Sequence, residues 1–208
     1  LLDEAGRALF QERMARWLSG REPDRNVEYR IRTKDGHALV VLLDATFTTD
    51  TSGYPRGATV IAHDITERKQ AEAERERLLA ERTAAMESMS EGLTLADPDG
   101  HFIYRNPAAL ALYGYETIDA SLMPREAWLA KWEARDLQGR RVPQDAWPMA
   151  RALRGDTFSG YELHVRRIDT GKEFIGSYSG TLVRRPDGKP LFAMITVRDI
   201  TESIHIKD

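Results

Sequence analysis

The chain has 208 residues, enough for one large or two small domains at roughly 100–200 residues each. A hydrophobic fraction of 41% suits a globular core, while a net charge of −3 gives no basic surface of the kind nucleic acid selects. The absence of cysteine excludes disulfides, thiolate metal sites and cysteine nucleophiles together, and it fits a cytoplasmic setting. There is no apolar run near about 18–20 residues and no signal-peptide pattern, so no membrane contact is expected within this segment. Leu1 in place of an initiating Met reads as the start of a fragment.

Helical spacing over 3–19 ends at Gly20, a residue suited to a left-handed C-cap. An alternating strand follows, with Tyr29 and Ile31 on one face. The turn Asp35-Gly36 leads to a second strand whose inward set is Leu39, Val41, Leu43, Ala45 and Phe47. After Gly53-Tyr54-Pro55 a third strand runs through Val60 to Asp64-Ile65-Thr66-Glu67. From Asp64 onward the residues are helix formers, and Asp64 with Glu67 has capping-box spacing. Ala71, Leu78 and Ala85, like Leu79 and Met86, stand seven apart. This allows either a weak parallel dimer seam or a solvated spacer covered with charge pairs.

A short strand is expected over 92–96, a turn at Asp97-Pro98-Asp99-Gly100 and a second strand over 101–105. Asn106 and Pro107 then start a helix as N-cap and first helical residue. Trp128 and Trp132, four apart, would share one helix face, either as core packing or as a ligand gate. Helical spacing returns over 144–154 and ends at Gly155. Strands follow around Leu163 and Val165, then through Phe174, Gly176, Tyr178, Gly180 and Leu182. Beyond the turn Arg185-Pro186-Asp187-Gly188, a last strand runs through Ile195 to Asp199-Ile200-Thr201-Glu202.

The second half repeats the first. Asp64-Ile65-Thr66-Glu67 returns 135 residues later as Asp199-Ile200-Thr201-Glu202, and Met14-Ala15-Arg16 returns at the same offset as Met149-Ala150-Arg151. Glu28-Tyr29-Arg30-Ile31-Arg32 matches Glu162-Leu163-His164-Val165-Arg166 at an offset of 134. The repeated unit is a helix followed by an antiparallel three-stranded meander. Only the second copy has two strands upstream.

These stretches resemble the PAS family of sensor domains: Asp97 to Gly100, Tyr104-Arg105-Asn106-Pro107-Ala108-Ala109, Trp147 to Gly155, and Asp199 to Glu202. The resemblance covers nearly all of 90–203, and the C-terminal half of a further PAS domain over about 1–68. It implies an α+β PAS fold: a five-stranded antiparallel sheet with helices on one face, preceded by a partial PAS unit and a long connecting helix. The expected divisions are 1–66 for the partial unit, 67–89 for the signalling helix, 90–203 for the complete domain and 204–208 for the start of another linker. It also implies a small-molecule pocket, a homodimer through the connecting helix and PAS surfaces, and an output domain outside this chain, with histidine kinase first and diguanylate cyclase second. The truncated first copy should expose a sheet edge.

The residues offer no catalytic constellation and no glycine-rich phosphate loop, so the segment is not expected to be an enzyme. Of the histidines, His164 and His63 fall on outward strand positions, His37 and His101 beside turns, and His205 in the tail. None has a histidine partner at metal-ligand spacing and none lies on 144–154, which argues against haem; no metal site is expected. Lack of cysteine excludes a cysteinyl-flavin photoadduct, leaving non-covalent flavin or another small molecule open. Against Val41, Leu43 and Ala45 of the first copy, Gly176, Tyr178 and Gly180 vacate volume. One reading is a pocket floored by Gly176 and Gly180, walled by Tyr178, Trp147, Met149, Leu153 and Met194, with Asn106 or Tyr104 as polar contact. The other is that Trp147 or Met149 fills the space, or that the glycines mark bends. Asp64, Thr66, Asp199 and Thr201 are expected to couple strands to helices. Two functions compete: a ligand-responsive sensor, and a ligandless dimerisation and relay module.

Overall fold

The structure, a computed structural model, describes residues 2–19, 21, 24–52 and 55–205. The expectations for Gly20, Gly53 and Tyr54, and for the side chains of Phe47 and His205, fall outside these. The chain divides into two compact units, Leu1–Ala80 and Glu81–Asp208.

In the first unit α1 (Glu4–Leu18) starts at Asp3, whose Oδ1 accepts from the Gly6 amide at 2.7 Å. Strands β1 (Val27–Arg32), β2 (Ala38–Thr49) and β3 (Pro55–Asp64) form an antiparallel sheet in the order β1-β2-β3. Arg13 of α1 is buried on β1 and donates to the Tyr29 hydroxyl at 2.8 Å. The chain then enters α2 (Thr66–Glu87).

The second unit opens with β4 (Gly92–Ala96) and β5 (Phe102–Arg105). A helical layer follows: α3 (Pro107–Tyr113), α4 (Ile118–Ser121) and α5 (Arg125–Leu129). After β6 (Trp132–Arg135) come a 3-10 turn at Gln144–Ala146 and α6 (Pro148–Leu153), then β7 (Phe158–Arg167), β8 (Glu173–Arg184) and β9 (Pro190–Asp199), and finally α7 (Thr201–His205). The sheet is antiparallel in the order β5-β4-β9-β8-β7-β6. It has six strands rather than the expected five, because Trp132–Arg135 pairs with Arg167–His164 of β7.

That pairing corrects the tryptophan reading. Trp128 lies in α5, one residue before its end, while Trp132 opens β6, and the two rings stack across the loop at 5.7 Å and 26°. The helix expected over 144–154 is also interrupted. Trp147 is extended at φ −69°, ψ 153°, because the ring of Pro148 disfavours helical geometry in the residue before it. Gly155 then takes φ +98°, as a left-handed helix end requires.

Both copies of the repeat share the order helix, strand, strand, strand, and their equivalent residues Tyr29 and Leu163 are each 1% exposed. They differ at the last strand. Ile195 of β9 is covered because β9 also pairs with β4, whereas the equivalent Val60 of β3, at the edge of its three-stranded sheet, is 55% exposed. Among the described residues no helix is long and apolar enough to cross a membrane.

Candidate functional site

The sheet of the second unit curls over an aromatic core in which Trp128 is the hub. Its ring meets Phe102 at 5.3 Å, Tyr113 at 6.0 Å and Trp147 at 5.9 Å, all edge to face. Trp147 is held by its Nε1, which donates to the Val142 carbonyl at 3.0 Å. Beneath these rings lies a cavity of about 50 Å³. A water needs about 10–15 Å³ on this measure, so the space admits a few waters or a ligand of few heavy atoms. A flavin or haem does not fit it as it stands.

Of the sequence-predicted contacts, Trp147, Met149 and Tyr178 line this cavity, while Tyr104, Asn106, Leu153, Gly176, Gly180 and Met194 do not. The two glycines do vacate volume, but neighbours occupy it. A Cβ on Gly180 would lie 2.5 Å from Ile195 Cδ1 and 2.6 Å from the Phe158 ring. One on Gly176 would lie 2.7 Å from the Tyr178 ring and 2.9 Å from Val197. Neither Trp147 nor Met149 is the filler. The side chains crossing over the glycines come from the same strand or the strands on either side.

Asn106 is fully buried and its amide is fully committed. Oδ1 accepts from the amides of Leu93 (2.8 Å) and Ala109 (2.9 Å), and Nδ2 donates to the carbonyls of Glu91 (2.9 Å) and Met86 (3.2 Å). It is both the N-cap of α3 and a clasp on the end of α2. Tyr104 points off the cavity face, and burial, with the charge of Glu87, raises its phenol above 10.0.

Sequence reading missed Arg105. Strict alternation would pair Phe102 with Tyr104 on one face and turn Arg105 away. The register instead shifts, with Ala96 opposite Phe102 and Leu95 opposite Tyr104, so Ile103 bulges out and both Phe102 and Arg105 face the cavity. Arg105 is 2% exposed, and its guanidinium carbon lies 4.3 Å from the Phe102 ring centre, 5.3 Å from Tyr113, 5.4 Å from Trp128 and 5.6 Å from Tyr115. Burial pulls its pKa below the ordinary value, against the opposing influence of the Tyr113 and Tyr115 hydroxyls. The cage supplies cation–π attraction, but a guanidinium removed from water without a carboxylate is ordinarily costly.

The strand-to-helix junctions are alike in both copies. The Thr201 amide (2.9 Å) and hydroxyl (2.5 Å) donate to Asp199 Oδ1, and Thr201 Oγ1 accepts from the Ile175 amide at 2.9 Å. The Thr66 amide (2.9 Å) and hydroxyl (2.6 Å) donate to Asp64 Oδ1, and Thr66 Oγ1 accepts from the Val40 amide at 2.9 Å. Thr66's hydroxyl, then its amide, hold the Asp64 carboxyl below the ordinary carboxylate range. This is not the expected capping box: α2 begins at Thr66, and Asp64 bonds to the residue two ahead while Glu67 plays no reciprocal part.

Asp97, Asp99 and His101 bring ligand-type atoms within 4.8 Å of one another at the β4–β5 turn. Asp97 is engaged there: it accepts from the amides of Asp99 (3.0 Å) and His101 (2.9 Å) and meets the His101 ring at 3.1 Å. Partial burial pushes its carboxyl up, but those contacts outweigh it and hold the pKa below the ordinary range. His164 lies on the outward side of β7, 3.4 Å from Glu173.

Residues 86–205, more than half the chain, match the family model of the PAS fold. The chain belongs to the PAS family, whose domains are sensory and signalling modules and are themselves non-catalytic. Among solved structures it is similar to a PAS domain of an HTR-like protein from Haloarcula marismortui, at 18% identity and TM-score 0.45, covering 64% of this chain and 99% of that one. It is also similar to the PAS domain of nitrogen regulation protein NR(II) from Vibrio parahaemolyticus, at 15% identity and TM-score 0.41, covering 57% and 97%. A further similarity is to a domain of a sensory box sensor histidine kinase/response regulator from Geobacter sulfurreducens, at 21% identity and TM-score 0.34, covering 62% and 94%. Among curated proteins no match to the chain is found.

Proposed function

We propose that this chain is a cytoplasmic sensor region in which occupancy of the PAS cavity is relayed through the strand-to-helix junctions to an output domain, a histidine kinase in the first instance. One observation carries this reading: the cavity walls and the junction lie on the same two strands. β8 carries Tyr178 on the wall and, three residues back, Ile175, whose amide bonds to Thr201. β9 carries Ile195 on the wall and, four residues on, Asp199. A ligand that displaces Tyr178 or Ile195 would therefore change the geometry available to the first turn of α7. It shifts the output only if it binds one junction state more tightly than the other. The chain works as a homodimer, with α2 contributing the seam.

The small cavity favours a second reading, in which the domain holds no ligand and transmits only the registry of its helices. Native mass spectrometry of the purified chain separates the two. A dimer carrying a bound small mass supports the sensor; a dimer of bare chains, unaltered by any added metabolite, supports the relay; and a bare monomer at high concentration removes both.

A further inference from the structure

Resting on the sensor reading, we propose that the cavity binds a short-chain carboxylate, received by Arg105 and Trp128. Among its described residues the second unit has two buried arginines, Arg105 and Arg167, that differ in one respect. Arg167 is fully engaged: its Nε lies 2.7 Å from Asp169 Oδ1, and its Nη1 donates to the carbonyl of Gly114 at 2.9 Å. Arg105 donates to the Ser121 carbonyl at 3.3 Å and has the Tyr115 hydroxyl beside it, but its buried Nε has no partner. Among the described residues no carboxylate is one of the groups that influence it. Trp128 Nε1 is likewise buried without an acceptor, and the Arg105 guanidinium carbon sits 5.4 Å from the centre of the Trp128 rings.

Both side chains line the cavity, so its wall includes a cation, and two unmet donors are buried beside it. Buried polar groups are normally bonded and buried charges normally paired, so the lining is short of an anionic acceptor. An apolar ligand would leave both donors unmet, and a cationic one would face Arg105. A carboxylate supplies two oxygens in the plane a guanidinium fork matches, and its carbon chain meets Leu163, Val165 and Ile195. Size narrows the class further. At about 10–15 Å³ per water-sized group, about 50 Å³ holds about four such groups, which suits an acid of about two or three carbons.

The test is calorimetry and thermal unfolding of the whole chain with sodium propionate, with propionamide as the neutral isostere and sodium chloride at matched ionic strength. Propionate should bind saturably and raise the unfolding temperature, and propionamide should bind about tenfold or more weakly. Arg105→Met, which replaces the charge with an apolar chain of similar length, should lose the propionate response. The comparison of propionate with propionamide in the unaltered chain stands even if that variant does not fold. Equal responses to propionate and propionamide overturn the carboxylate assignment but leave a ligand-responsive module, as does an Arg105→Met variant that binds propionate unchanged. No saturable response to either, with a native mass spectrum free of bound molecules, overturns both readings.

Discussion

Asn106 uses its whole hydrogen-bonding capacity inside the protein: two amides reach its oxygen and two carbonyls its nitrogen. Removing it strands two buried amides and two part-buried carbonyls and deletes the cap of α3. Asn106→Ala should therefore cost on the order of 3 kcal/mol, combining a lost N-cap with unsatisfied buried groups, as read from urea midpoints. A cost near zero would mean that water replaces the side chain. The paired phenols of Tyr113 and Tyr178 make a second residue-scale case. Burial pushes Tyr178 well above 10.0, with further contributions from Tyr113, its hydrogen-bond partner, and from the charge of Asp199. In the unfolded chain these phenols ionise near 10, so above that pH the folded state retains protons that the unfolded state has lost. The stability they contribute is intact below about pH 10 and falls progressively above it. Denaturant midpoints from about pH 8 to about pH 11 should show this decline, with a shallower slope in Tyr178→Phe. An identical slope in the variant would remove Tyr178 as its source.

At the scale of elements, local chemistry was legible and long-range pairing was not. The N-cap at Asn106, the strand over 92–96 and the helix ahead of the meander follow from residues within a few positions of one another. Trp128 and Trp132 carried helical spacing too, yet strand pairing to β7 claimed Trp132. Arg105 was hidden by the bulge at Ile103, since a one-residue insertion reverses which side chains face inward. Glycines at 176 and 180 signalled missing volume correctly, but three of the neighbours that fill it, Phe158, Ile195 and Val197, lie well apart in sequence and only Tyr178 is near. The junctions were found because they repeat, although their hydrogen bonds differ from the spacing that drew notice. Asp199→Ala should remove the acceptor for the Thr201 amide and cost about 0.5–2 kcal/mol, leaving the sheet intact. Amide exchange should quicken at Ile175 and in the first turn of α7 and stay unchanged in β4 and β7. Wild-type output from that variant in the full-length protein would remove the junction from the relay.

For the molecule as a whole, α2 sets the remaining question. Its 22 residues make a rod of about 33 Å at about 1.5 Å per residue, and none of them is buried in the single chain. Surface pairs such as Arg68–Glu72 (3.8 Å) and Arg77–Glu74 (3.9 Å) are exposed and contribute little. Leu78 and Leu79 stand 42% and 53% exposed, an arrangement that helices in water usually resolve by packing. In the homodimer proposed above, Leu78 lies on one seven-residue row with Ala71 and Ala85, and Leu79 on the adjacent row with Met86. Small alanines leave such a seam weak, so placing two like charges in it should be decisive. Leu78→Glu combined with Leu79→Glu should turn a dimer into a monomer by sedimentation, while circular dichroism keeps the sheet signal of both units. If the unaltered chain already sediments as a monomer at high concentration, or the double variant stays dimeric, the seam lies elsewhere, and the exposed edge of β3 becomes the surface to test.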